Sequence, residues 1–407
     1  VASAATISIS GRIYNDEGAT QLTTAGKTLI VRVGTTTAGF FATSTVAANG
    51  FWQIPNIDPS TFYLGMPISV WIDGDNTFRA FTFTKASSTA GNISNLDLYR
   101  SRVIVKMEGY TGTSTTNADL GVYDFDDNNS IQFTSNGGAL SVFKEQALYV
   151  APGSEFAPGG AVTLSGNAST TNPDGDLRLA TGLRQDGTAT TSILTMGANA
   201  LTLAGNWFAS STSLFTHSGT VTFNSTSTAQ KLIVATSSVF SSLTFDGIGG
   251  SWSFGVNAAS TTGAFTLTNG TTTAPSTSLS IGGNLSHTAN GGFVHNSGTT
   301  TFNGSSAQTI SSAMSGVNAF NDVVFRGAGT KIFSAAASTT NLFIDSTSGT
   351  VTFSTTTTIA GSYTNNSSII AGSGTVYFPG TSPTTLSGTM TGSSAFNKLI
   401  LTRSEER

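Results

Sequence analysis

The chain has 407 residues, a formal net charge of −4, no cysteine, and 9% charged against 38% hydrophobic residues. Low charge with abundant Val, Ile, Leu and Phe excludes a disordered chain, and the length allows a sizeable buried core in roughly two or three domains. Residues 1 to 189 hold 16 acids and 11 bases and residues 190 to 407 only 5 and 6, which leaves no basic stripe for nucleic acid; the lack of cysteine removes disulfides and thiolate metal sites, and no apolar run approaches the ~20 residues of a membrane helix.

The missing charge is replaced by Thr, Ser, Asn and Gly, a composition that favours strands and turns over helices. "VASAAT" opens the chain with the small-residue look of a signal-peptidase site at Ala2-Ser3-Ala4, so the expected location is extracellular or cell-surface, with the signal peptide already removed. From residue 5 to about 98, "TISISGRIY", "KTLIVRV", "ANGFWQIPNI" and "PISVWIDGDN" alternate apolar and polar residues between turns, predicting an antiparallel β-sandwich over 1–98. The stretches Gly11-Arg12-Ile13-Tyr14, the turn at Gly18, and Asn49-Gly50-Phe51-Trp52-Gln53-Ile54 resemble the carboxypeptidase regulatory-like, transthyretin-like domains of surface proteins. That resemblance covers about a quarter of the chain and implies a non-catalytic spacer or adhesion module. Residues 99–165 read as a β-rich transition punctuated by Pro-Gly turns.

Beyond it, over 166–407, three motifs recur in one order. The Phe of "SGTVTF" returns at Phe223, Phe302 and Phe378, spaced 79 and 76 residues; "FSSLTFDG" returns from Phe240 at Phe320 and Phe396; "LTLAGNW" returns with its glycine at Gly205, Gly283 and Gly361. A period of 76 to 80 divides into three or four coils of roughly 20 to 26 residues, with Val221/Phe223 and Leu243/Phe245 facing inward and stacking coil on coil. The fold class is therefore all-β, a sandwich followed by a parallel β-solenoid, with tandem β-sandwich repeats as the alternative. Threonine suits the outer face because like charges stacked ~4.8 Å apart repel, whereas hydroxyl ladders can hydrogen-bond. The style of repeat resembles the Thr/Gly/Asn-rich regions of filamentous haemagglutinin-like surface proteins.

Chemistry is sparse. His217, His287 and His295 lack nearby acids, and from residue 190 to 402 acids and bases are too few for a hydrolase groove, so no enzyme activity is expected. Structural calcium is the one cofactor considered. The acidic turns "DGDN" (Asp73 to Asn76), "DFDDNN" and "NPDGD" offer oxygens, with Asp124, Asp126 and Asp127 the best ligand set. The third repeat stops about halfway, at "FNKLILTRSEER". The expected role is accordingly a structural subunit of a bacterial surface layer or filament, in head-to-tail contact with copies of itself. Assembly would use Phe396, Leu399 and Leu401 at one end and a donated strand containing Thr6, Ile7, Ile9 and Ile13 at the other. The rival reading is an adhesin that binds surface glycans on a solenoid stalk.

Overall fold

The computed structural model describes residues 6–23, 25–35, 39–87, 91–108, 114–123, 130–166, 173–183, 189–236, 238–370, 372–380 and 384–402. The protein is nearly all β, 49% strand and 4% helical, with a parallel β-solenoid of about 13 turns. The chain forms two compact units, Val1–His217 and Ser218–Arg407.

The first unit begins with a sandwich. Strand β1 (Ile7–Tyr14) alternates buried and half-buried residues, as the spacing predicts. Strands β2 (Thr28–Gly34), β3 (Gly39–Thr45), β4 (Phe51–Ile57), β5 (Pro67–Asp73), β6 (Phe81–Lys85) and β7 (Leu98–Tyr99) complete it. One sheet runs β4-β1-β7 and the other pairs β3 with β2, β2 with β5 and β5 with β6, all antiparallel. Ile9, Ile13, Leu29, Val31, Trp52, Ile68, Val70 and Leu96 fill the core between them. Gly11 is required by proximity: a Cβ there would lie 2.2 Å from the Leu96 carbonyl oxygen.

The sandwich is not a separate bead. Strand β6 pairs in parallel with β8 (Arg102–Val105), which pairs in turn with Ala147–Val150; that strand pairs with Asp176–Leu179, and the last with Trp207–Ala209. Coiling thus begins inside the stretch that the sequence marks only as a transition. Along this shared sheet the buried side changes: Ile68 and Val70 face the sandwich core, whereas Phe81 and Phe83 lie in register with Val103 and Val105, on the side of Leu148, Val150, Leu177 and Leu179. A short α1 (Asn117–Leu120), held by a Thr116/Asp119 capping box, and Phe133, edge-on to Phe81 at 4.7 Å, lie beside this first coil. Sandwich and first coil therefore bury each other's strand edge, which is what a solenoid cap must do.

On the outer side, Glu17 accepts from both Arg102 (3.1 Å) and Arg178 (2.8 Å), and Arg178 lies over the Phe208 ring. Beside them Tyr14, Tyr99 and Tyr149 meet edge to face. Because Arg178 is over a third exposed, the ion pairs are solvent-screened. Glu17→Gln is expected to lower stability by only about 1 kcal/mol, read as a shift of the urea midpoint with an unchanged slope.

Each turn of the coil makes three strand passes, on three faces. In the second unit the first face carries Thr220–Phe223 and the leading half of Ser242–Ser253 in register, Val221 on Leu243 and Phe223 on Phe245. The 242–253 strand turns the corner within itself at Gly247 and Gly250, where a Cβ would meet the Ser225 carbonyl oxygen at 1.8 and 2.1 Å. The third face is the parallel series that contains Ser278–Ile281, Thr299–Phe302, Asp322–Phe325 and Asn341–Ile344. On the third face parallel pairing runs without a break from Val239–Phe240 to Leu386–Gly388, across the sequence repeats, so tandem sandwich modules are excluded.

The repeat and the coil are out of phase. Phe223 lies on the first face, Phe302 on the third and Phe378, in Thr375–Phe378, on the second. One sequence repeat therefore spans three full turns and two further passes, and each copy of a motif moves to a neighbouring face. Outward, Thr222, Thr244 and Thr266 stand in one column, and the Thr364 and Ser387 hydroxyls meet at 2.9 Å across adjacent strands. These are the hydroxyl ladders that the composition implies.

Candidate functional site

The last described strand, Lys398–Leu401, pairs on one side with Thr375–Phe378, Leu399 beside Val376 and Leu401 beside Phe378. Leu399 is 40% exposed, Ile400 37% and Leu401 60%. Their counterparts one repeat earlier, Val323 and Phe325, are buried because Asn341–Ile344 lies against them. Among the described residues no strand covers Lys398–Leu401 in that way. Phe396 is half-buried against Tyr363, ring centroids 5.3 Å apart. Of the three residues named from the sequence at this end, Leu399 and Leu401 thus lie on a sheet edge that no strand covers among the described residues, while Phe396 precedes the strand and packs inward.

At the other proposed joint the outcome differs. Ile7, Ile9 and Ile13 are core residues of the sandwich, and β1 is paired on one edge with β4 and on the other with β7 and the 93–96 segment. Thr6 is exposed just before it. Donating this strand would expose several isoleucines and break two ladders, so the sandwich holds it in place. The leading edge of the first coil is likewise taken, by β6. Both head-to-tail routes suggested by the sequence therefore meet occupied strands.

Asp124, Asp126 and Asp127 lie outside the described residues. In the Asp73 to Asn76 turn, Asp75 pairs with Lys27 and accepts from the Thr77 amide and hydroxyl and the Phe78 amide. Burial raises its pKa, but these donors outweigh burial and hold the carboxyl below its usual range. Asp174 accepts from the Glu145 amide and Asp176 from the Asn206 amide and side chain. The carboxylates bind protein donors, and among the described residues no group of three or more His, Asp or Glu is placed to hold a metal.

His287 bridges coils, its ring nitrogens 2.8 Å from Thr288 O and 2.9 Å from Ala313 O, while His295 accepts from the Ser297 amide. Burial pushes the His217 imidazole below its usual pKa, and it stacks on Phe215. Trp207, Leu285 and Tyr363, which share a repeat position, are fully buried. They pack the coil rather than form a sugar platform.

No protein family, curated protein or solved structure matches this chain. The reading of the solenoid rests on its own geometry.

One interior feature escaped the sequence reading. Lys331 is fully buried, and its ammonium donates to the carbonyls of Gly304 (3.0 Å), Gly327 (3.2 Å) and Gly329. One turn earlier on the same face the buried Gln308 donates to Ile281 O and Gly283 O and accepts from the Gly304 amide. The signal was available: in Lys331-Ile332-Phe333 alternation puts the lysine on the same side as the inward Phe333.

Proposed function

We propose that the chain is a structural subunit of an extracellular bacterial surface assembly, a β-solenoid that acts as a spacer and self-associates through the Lys398–Leu401 edge, which no strand covers among the described residues. The observation that carries this reading is the phase of the repeat. Because each motif moves to the next face, no face gathers the repeated side chains into one binding surface, and all three stack alike. The resemblance of the opening strands and turn motifs to transthyretin-like domains of surface proteins supports an extracellular spacer. The haemagglutinin-like style of the repeats supports it too.

With β1 and the leading coil edge occupied, the joint is between two copies of the Lys398–Leu401 edge, a two-fold contact that closes. In size-exclusion chromatography with light scattering, the chain is expected to form a concentration-dependent dimer, read as a doubling of the mass. Leu399→Asp with Leu401→Asp, at positions already exposed, should leave only monomer. A wild-type chain that stays monomeric at high micromolar concentration, or a double variant that still dimerises, would sink the self-association.

A further inference from the structure

Five Asn-Gly pairs occur in the chain, at Asn49, Asn136, Asn269, Asn290 and Asn303. In four of them the glycine amide is held: Gly50 N–H donates to Ala47 O, Gly270 N–H to Asn290 O, Gly291 N–H to Thr288 O and Gly304 N–H to the buried Gln308 Oε1. Two of these asparagines are also tied by their side chains, Asn49 Oδ1 by the Phe51 amide and Asn269 Nδ2 by Asp246. Asn136-Gly137 differs. It lies at the tip of the hairpin of Phe133–Asn136 and Ala139–Val142, where Asn136 and Ala139 form the terminal pair. Gly137 and Gly138 take φ of 58° and 83°, as a type I′ turn requires. Asn136, Gly137 and Gly138 are exposed, and a side chain at Gly137 would meet nothing within 4 Å. Neither the Asn136 side chain nor the Gly137 amide has a hydrogen-bond partner among the described residues.

We infer that Asn136 is a site of spontaneous, backbone-assisted deamidation, the Asn-Gly pair that converts while the chain stays folded. The Gly137 nitrogen gives up its proton to hydroxide and bonds to Asn136 Cγ; the Cγ–Nδ2 bond breaks, ammonia leaves, and a succinimide ring closes. Water then opens the ring. Attack at Cγ gives aspartate, and attack at the backbone carbonyl gives isoaspartate, in which the main chain runs through Cβ. Water enters and ammonia leaves, with no oxidant or enzyme. Glycine suits the step because it lacks the Cβ that would hinder the approach of its nitrogen. At the other four pairs that nitrogen must first give up a hydrogen bond. Either product places a carboxylate on a hairpin, residues 133–142, that has no charged side chain. Isoaspartate also lengthens the backbone at a turn whose length fixes the strand register. The hairpin starts the strand series that continues through Val162–Leu164 and Leu201–Leu203, so the conversion would mark the start of one face of the coil with the age of the chain. This goes beyond the spacer role and does not depend on self-association.

Incubation of the folded full chain in mildly alkaline buffer made with heavy-oxygen water, followed by peptide mapping in the mass spectrometer, tests the assignment. The peptide that carries Asn136 is expected to exchange its amide nitrogen for solvent oxygen and to yield isoaspartate as well as aspartate. It should do so roughly three- to tenfold faster than the peptides of the other four pairs, the factor that one net hydrogen bond supplies. In urea, which releases the held amides, the five rates should converge. Conversion of Asn136 no faster than the other four in the folded chain would overturn the assignment. So would a product that is aspartate alone, since direct hydrolysis of the side chain needs no help from Gly137, or a rate order that persists unchanged in urea.

Discussion

Phe245→Ala is expected to destabilise the second unit by roughly 3 to 5 kcal/mol. Phe245 is fully buried and its ring is packed by Phe223 at 5.2 Å, Trp252 at 5.3 Å, Phe265 at 5.5 Å and Phe254 at 6.1 Å, neighbours on three successive coils. Truncation leaves a void walled by large rings that cannot collapse without moving the corners. Because a solenoid is held mainly by nearest-neighbour contacts, the damage should be local. Hydrogen exchange should speed first between about residues 220 and 273, before the later coils respond.

The repeat supplies an internal control. Phe325, one repeat on, is buried between Phe302 and Phe333, and Phe325→Ala should cost about as much. Leu401, two repeats on, is 60% exposed on the uncovered edge, and in the monomer Leu401→Ala should cost less than about 0.5 kcal/mol. Thermal unfolding of the three variants decides this. Equal losses at all three positions would mean that motif identity, not coverage by the next coil, sets the stability.

That contrast shows how far the sequence could be read. The inward Phe residues, the outward threonines and the second motif stacking directly on the first were legible, because alternation is local and the motifs repeat. The phase was not: a repeat counts residues, whereas a face is set by the corners, and corners such as 247–250 are absorbed into a strand when glycine permits. Nor was the junction of β6 with β8, since parallel pairing between strands in different domains leaves no local pattern. At Asp75 and Asp174 the sequence could not tell a turn cap from a cation ligand, because an Asp that caps a turn and an Asp that binds a cation have the same sequence neighbours. At the candidate edge, Leu399 and Leu401 were recognisable as inward residues of a coil, but only the structure shows which strands elsewhere are already paired.

Lys331 gives the protein an expected rise in stability on the alkaline side of neutrality. Burial lowers its pKa from 10.5 to about 8, while the unfolded chain keeps the ordinary value. Between these two pH values the unfolded state binds more protons, so unfolding becomes less favourable as pH rises; the full difference is of order 3 kcal/mol. Above pH 10 the sign reverses. Burial raises the phenols of Tyr99, Tyr363 and Tyr149, the last to about 12, so the folded chain then retains protons that the unfolded chain releases. Stability should therefore peak between about pH 9 and 10.

Lys331→Met should abolish the rise between pH 8 and 10 and leave the fall above it. The substitution is tolerable because two of the three carbonyls keep backbone donors, Gly304 O from the Gly329 amide and Gly327 O from the Gly349 amide. It removes a buried charge without stranding them, so at pH 7 the variant should equal or exceed the parent by up to about 3 kcal/mol. Urea unfolding of both proteins from pH 7 to 11 measures this directly. A flat parent profile below pH 10, or a variant that keeps the rise, would show that the three carbonyls stabilise the ammonium as fully as water does.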